Sequence, residues 1–332
     1  MLTLAISFLG LVSFAQPDDE LTPEEMAYRD SIANLNETNA AIEKSQTAYN
    51  AGIELFKQKK YEGAISKFKE SYASDNNFTP ALYNMGIAQN KSEKYKDAIK
   101  TLDALIDKKP SYSKAYFQRG RAYQGTKDFL TAEKDYQKSI KLDAKNPKAY
   151  YNFATLRFLQ KDYEGAASKF SKVIELSPND AYAYNDRGSC YRMLGEYAKA
   201  IADYEIAAKK NEGLAFVLNN IGTTKTKMKS YDDALAAFNR ALSIDAKFYL
   251  AFNNRGVTEM KMERWDDAIK DFTRCIEINP GYAPAYSNRS GAYFKAGKFK
   301  EAKKDADKAI SLDKNFADAY VNRGMAKEML RD

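Results

Sequence analysis

Small and large apolar positions recur along this chain with a fixed period of 34 residues. Counted from Ser45, successive copies start at Ser45, Thr79, Ser113, Pro147, Ala181, Ala215, Tyr249 and Ala283, and a ninth that starts at Ala317 stops at Asp332 after room for one helix. Position 8 of each copy is small: Gly52, Gly86, Gly120, Ala154, Gly188, Gly222, Gly256, Ser290 and Gly324. Position 17 is always aromatic, from Tyr61 through Trp265 to Phe299, and position 20 is Ala in every full copy, from Ala64 to Ala302. Position 24 is large (Phe68, Leu102, Tyr136, Phe170, Tyr204, Phe238, Phe272) except at Ala306, and Pro holds position 32 as Pro110, Pro178 and Pro280. Self-similarity at such a period is the signature of a stacked array.

The pattern predicts two helices of about 13 residues, each about 20 Å long, in every period. Small residues at positions 8 and 20 let the paired helices approach. The large residues at 17 and 24 fill the space beside them. Proline cannot continue a helix interior, so position 32 punctuates the passage to the next copy. One such pair cannot bury its own apolar face, and stacking makes the core continuous. By length alone, 332 residues suggest two ordinary domains. An array grows by stacking, so the predicted organisation is one all-α solenoid of antiparallel helix pairs over 45–316, closed by a capping helix over 317–332.

The order small–aromatic–Ala–Phe–Pro at period 34 resembles the tetratricopeptide repeat, or TPR. The resemblance covers residues 45–332, with eight full copies in unbroken register. It implies a right-handed superhelical solenoid whose concave groove is lined by the first helix of each pair, and a function in binding other proteins. In that family, positions 2, 5, 6, 9, 12 and 13 of the first helix face the groove.

The N-terminal part is different. Residues 1–15, MLTLAISFLGLVSFA, are apolar and uncharged. The run is too short to span a bilayer comfortably and ends in small residues at Ser13 and Ala15. It reads as a secretory signal peptide, with a mature chain from Gln16 and an exported, periplasmic or extracellular location. Contact with a membrane is expected only through this segment, if it stays uncleaved. Residues 16–44 form an acidic linker or helix. Thr22 as cap, Pro23 at the first turn and Glu25 as the reciprocal partner predict a helix start there.

Charge sharpens this division. Residues 16–44 carry eight carboxylates against Arg29 and Lys44, a net −6, which leaves +13 on residues 45–332 out of the total of +7. The chain has no His, so the commonest general base and metal ligand are missing. Cys190 and Cys275 fit no zinc or redox spacing and fall where the repeat takes small apolar residues, which predicts buried thiols. Seven of the 16 glycines sit at position 8, and no phosphate-binding loop is present. The pairs Asp232-Asp233 and Asp266-Asp267 open second helices, where the macrodipole favours negative charge. No enzyme activity, metal or cofactor is expected.

Binding is the better expectation. Position 6 carries a row of polar side chains that includes Asn152, Asn220, Asn254 and Asn288. A side-chain amide donates and accepts, so such a row can hold the backbone of an extended peptide. Basic residues dominate the other groove positions, among them Arg121, Arg192, Lys227, Lys261 and Lys295, against few acids such as Asp186. A concave surface of one sign focuses potential, which predicts an extended, acidic polypeptide ligand. Residues 16–30 are a possible ligand in cis. The TPR family also contains clamps for a C-terminal Glu-Glu-Val-Asp, but only Tyr286–Ser290 resembles one. The neighbouring Asn253, Val257, Asp318 and Asn322 do not match the rest of the clamp. The alternative is a structural solenoid that self-assembles as a homo-oligomer or lies on an anionic envelope polymer, with no dedicated peptide ligand. Nucleic acid is not an expected partner, because the cations are interleaved with acids.

Overall fold

The computed structural model describes residues 23–331. Among them are 17 α-helices and no strand. The first, α1 (Pro23–Lys57), is followed by α2 (Tyr61–Ser74), α3 (Thr79–Lys91), α4 (Tyr95–Lys108), α5 (Ser113–Gly125) and α6 (Phe129–Leu142). The order continues with α7 (Pro147–Leu159), α8 (Tyr163–Leu176), α9 (Ala181–Met193), α10 (Tyr197–Lys210), α11 (Ala215–Lys227) and α12 (Tyr231–Ile244). It closes with α13 (Tyr249–Lys261), α14 (Trp265–Ile278), α15 (Ala283–Lys295), α16 (Phe299–Leu312) and the single helix α17 (Ala317–Leu330). Each first helix from α3 onward begins at the residue where its copy begins, and each second helix begins at the aromatic residue of position 17.

The exception is the start. The acidic segment and the first helix of the first copy fuse into one 35-residue helix, α1. No proline interrupts the sequence between Pro23 and Pro80, so nothing in it forces a break at Ser45. The signal segment, Thr22 and the side chain of Glu25 lie outside the described residues, and so does the expected capping box.

The helices form two compact units, one ending at Asp135 and one from Tyr136 onward. Within each, the small residue at position 8 is the seat of the large one at position 24. A Cβ on Gly222 would stand 2.6 Å from the Phe238 ring, and one on Gly52 equally close to Phe68. The eighth copy inverts the sizes: Ser290 faces a helix that carries Ala306, and its hydroxyl donates to the Ala302 carbonyl at 2.7 Å. Every position-20 alanine is fully buried. Consecutive first helices also pack on one another, as in α3–α5, α9–α11, α11–α13, α13–α15 and α15–α17, whereas among the described residues no two consecutive second helices of one unit pack as closely. First helices therefore line the inner side of each unit.

Every pair is closed by the same turn. Position 15 is left-handed in each copy: Gly195 and Gly297 in two, but Lys59, Glu93, Lys127, Lys161, Lys229 and Glu263 in the others. Lys161 N–H donates to the Phe158 carbonyl at 3.0 Å and Asp162 N–H to the Arg157 carbonyl at 2.9 Å. These are the two crossed bonds of a Schellman motif, which satisfy the last carbonyls of the first helix.

Four copies add an arginine clip. Arg119, Arg187, Arg255 and Arg289 at position 7 each form a two-pronged pair with the Asp at position 23 of the same copy: Asp135, Asp203, Asp271 and Asp305. The remaining guanidinium nitrogen reaches back to position 25 of the preceding copy, to Asp103, Ser171, Asn239 or Thr273. One side chain thus ties three helices together. Copy six has Ile221 and Ala237 at these two positions, so the pair is present or absent as a unit.

Candidate peptide-binding groove

The position-6 side chains are brought together as a ladder on the inner side of the second unit. Asn220 Nδ2 donates to Asn185 Oδ1 at 2.9 Å, Asn254 to Asn219 at 3.0 Å and Asn288 to Asn253 at 2.9 Å. Asn322 continues it to the Ser287 carbonyl at 2.9 Å. Each rung runs from position 6 of one copy to position 5 of the copy before, so the row has a stacking task that the sequence did not reveal. Asn220, Asn254 and Asn288 remain partly exposed, and an amide can make up to four hydrogen bonds. Asn152 stands apart from the ladder: its amide donates to the Lys148 carbonyl of its own helix at 2.9 Å.

The basic residues divide into two kinds. Lys227, Lys261 and Lys295 are exposed, each in the last turn of a first helix. Position 13 lies seven residues, or two turns, beyond position 6, so each lysine shares a face with its ladder asparagine. Among the described residues these three ammonium groups make no salt bridge. Arg192 is half-buried, with Nε donating to the Tyr204 hydroxyl at 3.3 Å. Arg121 belongs to the first unit, where Nη1 donates to Gln118 Oε1 at 3.3 Å.

Copies four and five present another surface. Position 13 is Leu159 and Met193 there, 55% and 46% exposed. Beside them Thr155, Phe158, Phe170, Asp186 and Ser189 line a cavity of about 240 Å³. Asp186 accepts from the Tyr151 hydroxyl and, at 2.9 Å, from Asn185 Nδ2. Burial pushes its carboxyl above the usual carboxylate range, against the pull of those two bonds. The inner face of the second unit therefore grades from an apolar cavity at copies four and five to a lysine row at copies six to eight.

Cys190 and Cys275 are buried free thiols, pushed up by burial to about 12 and about 11. Glu259, on α13, is the unusual case. Burial, then the charge of Asp271, pushes its carboxyl up to about 8 against the pull of Arg255. Its Oε2 has no hydrogen-bond partner. Among the described residues no helix is long and apolar enough to cross a membrane.

The arginine clips were missed in the sequence although their signal was present. Arg at position 7 and Asp at position 23 occur together in copies three, five, seven and eight. The left-handed turn was equally visible at Gly195 and Gly297.

Comparison with known proteins agrees with the fold. Six family models described as tetratricopeptide repeat match the chain, over residues 55–122, 117–181, 169–202, 217–248, 249–282 and 283–316. A tetratricopeptide repeat protein from Parabacteroides merdae superposes with a TM-score of 0.62 at 18% identity, covering 75% of this chain and 98% of that one. The APC/C hetero-tetramer Cut9–Hcn1 gives 0.57 at 15% identity, covering 80% of this chain and 52% of the other. No curated protein matches the chain as a relative. The fold is one typical of scaffolds for protein–protein interaction, and the chain belongs to the tetratricopeptide repeat family.

Proposed function

We propose that this protein is a scaffold that binds an extended, acidic polypeptide along the inner face of its second unit, in an exported, envelope-associated setting. The observation that carries the reading is the lysine row. Lys227, Lys261 and Lys295 are solvent-facing, recur at the repeat period and lack carboxylate partners among the described residues. Fixed, unneutralised charges of one sign along a concave surface raise the local concentration of the opposite charge. The ladder amides beside them supply donors and acceptors for a peptide backbone. The cavity at copies four and five takes an apolar side chain at one end of the same ligand. The exported setting rests on the signal-like residues 1–15.

The test is fluorescence anisotropy of the full chain with labelled Asp/Glu-rich, Lys-rich and neutral peptides of equal length. The acidic peptide is expected to bind, and to weaken steeply between about 50 and about 500 mM salt as the charges are screened. Equal binding of all three peptides contradicts the reading. Mass spectrometry of the protein from its native host checks the setting: the N-terminal peptide should begin at Gln16.

A further inference from the structure

We infer that the upstream half of α1 is a self-association helix that pairs, in parallel, with α1 of a second copy of this chain. The first repeat needs its first helix only from Ser45. α1 begins at Pro23, and residues 26–40 are all exposed. That upstream stretch is about 33 Å long, or three heptads.

Its exposed face is apolar. Tyr28, Ile32, Leu35 and Ile42 are 70%, 40%, 55% and 38% exposed. They follow a spacing of four and three residues, with Asn39 at the step between Leu35 and Ile42. Alternation of four and three is the seam of a two-stranded coiled coil. The same seam runs on through Gln46 to Tyr49, whose ring packs against Phe68 and Phe78 at 5.7 and 5.0 Å between centroids. The repeats thus meet this face only at Tyr49, for Gln46 is still exposed, and they leave it open upstream. Asp30, Glu37 and Lys44, seven apart, occupy the opposite side.

Two features select a second copy, in parallel, as the occupant. Asn39 lies in the seam, where its amide can pair with its own equivalent. A single Asn at such a position fixes register and two-strandedness. Parallel pairing also sets Glu24 of one helix beside Arg29 of the other, five residues on, as flanking charges of opposite sign. A lipid surface is a poor match, because helices lying on membranes carry Lys and Arg on the polar face, and this one carries mainly carboxylates.

Sedimentation velocity of the full chain over a concentration series tests this, with Leu35→Glu and Leu35→Cys variants alongside. The native chain should dimerise with concentration. Leu35→Glu should weaken the dimer by roughly a hundredfold or more, because it buries a charge in the seam, and should leave the helical signal and melting of the repeats unchanged. Leu35→Cys should oxidise readily to a disulfide-linked dimer, since the native thiols are buried. A native chain that stays monomeric at every concentration overturns the inference; its seam is then bare or covered by its own N-terminal residues. A dimer that survives Leu35→Glu overturns it as well, by placing the contact elsewhere.

Discussion

Arg289 holds Asp305 by two parallel hydrogen bonds, Nε to Oδ2 at 2.6 Å and Nη2 to Oδ1 at 3.0 Å, while Nη1 reaches Thr273 Oγ1 of the preceding repeat at 2.9 Å. Their side chains are only 14% and 8% exposed. Breaking such a pair from one side strands a buried charge, which costs about 3–5 kcal/mol. Arg289→Ala should therefore destabilise the array by about that amount in urea denaturation. Arg289→Ile combined with Asp305→Ala should recover most of the loss, because it reproduces the Ile221 and Ala237 that copy six already carries. A double variant as unstable as the single one would show that the clip contributes more than its own charges.

The seat at position 8 gives a contrast between two glycines. A Cβ at Gly222 meets the Phe238 ring at 2.6 Å, whereas among the described residues one at Gly324 meets nothing within 4 Å. Gly222→Leu should cost about 1–3 kcal/mol through overpacking. Gly324→Ala should instead stabilise by about 0.5–1 kcal/mol, from helix propensity alone. Thermal melts of both variants check the register of the whole array. A neutral Gly222→Leu would contradict it.

Lys161 occupies a left-handed turn, φ 64°, that Gly195 fills at the same position one copy later. A side chain there costs roughly 1–2 kcal/mol, partly offset by the extra freedom that glycine loses on folding. Lys161→Gly should raise stability by about 0.5–1 kcal/mol, and Gly195→Lys should lower it by a similar amount. Denaturation midpoints of the two variants moving in the same direction would refute the turn's role.

Glu259 predicts a pH dependence of stability. Its folded carboxyl, at about 8, lies above its unfolded value of 4.5, so the folded state holds the proton more tightly. Its contribution is then fully present below the unfolded value and is lost as pH rises through about 8. Glu259→Gln keeps the shape and removes the charge. At pH 9 it should be more stable than the native protein by about 1–3 kcal/mol, with little difference at pH 4. Denaturation at both pH values decides it, and equal effects at both would mean that Glu259 does not bind the proton.

Much of this fold could be read from the chain because stacking asks the same thing of the same position in every copy. Gly222 and Phe238, or Ala234, are legible because each repeats a steric demand seen in all or nearly all of the other copies. Arg255 and Asp271 were not, since their demand arises in only half the copies. Lys161 was obscured by residue type, for lysine is not a residue that signals a left-handed turn. Asn220, Asn254 and Asn288 were visible as a row, but sequence spacing alone does not show that each amide spends a bond on the preceding copy. That coupling makes their replacement a mixed test of binding and stacking.

The lysines carry no such second duty, so they test the central claim most directly. The measurement is the affinity of the full chain for an Asp/Glu-rich peptide before and after Lys227→Glu, Lys261→Glu and Lys295→Glu are introduced together, with thermal melts to show that the fold is kept. The account predicts that the triple variant folds normally and loses the acidic peptide by roughly a hundredfold or more at low salt, as three attractive charges become repulsive. An acidic peptide bound equally well by both proteins would contradict it and move the working surface away from the inner face of the second unit.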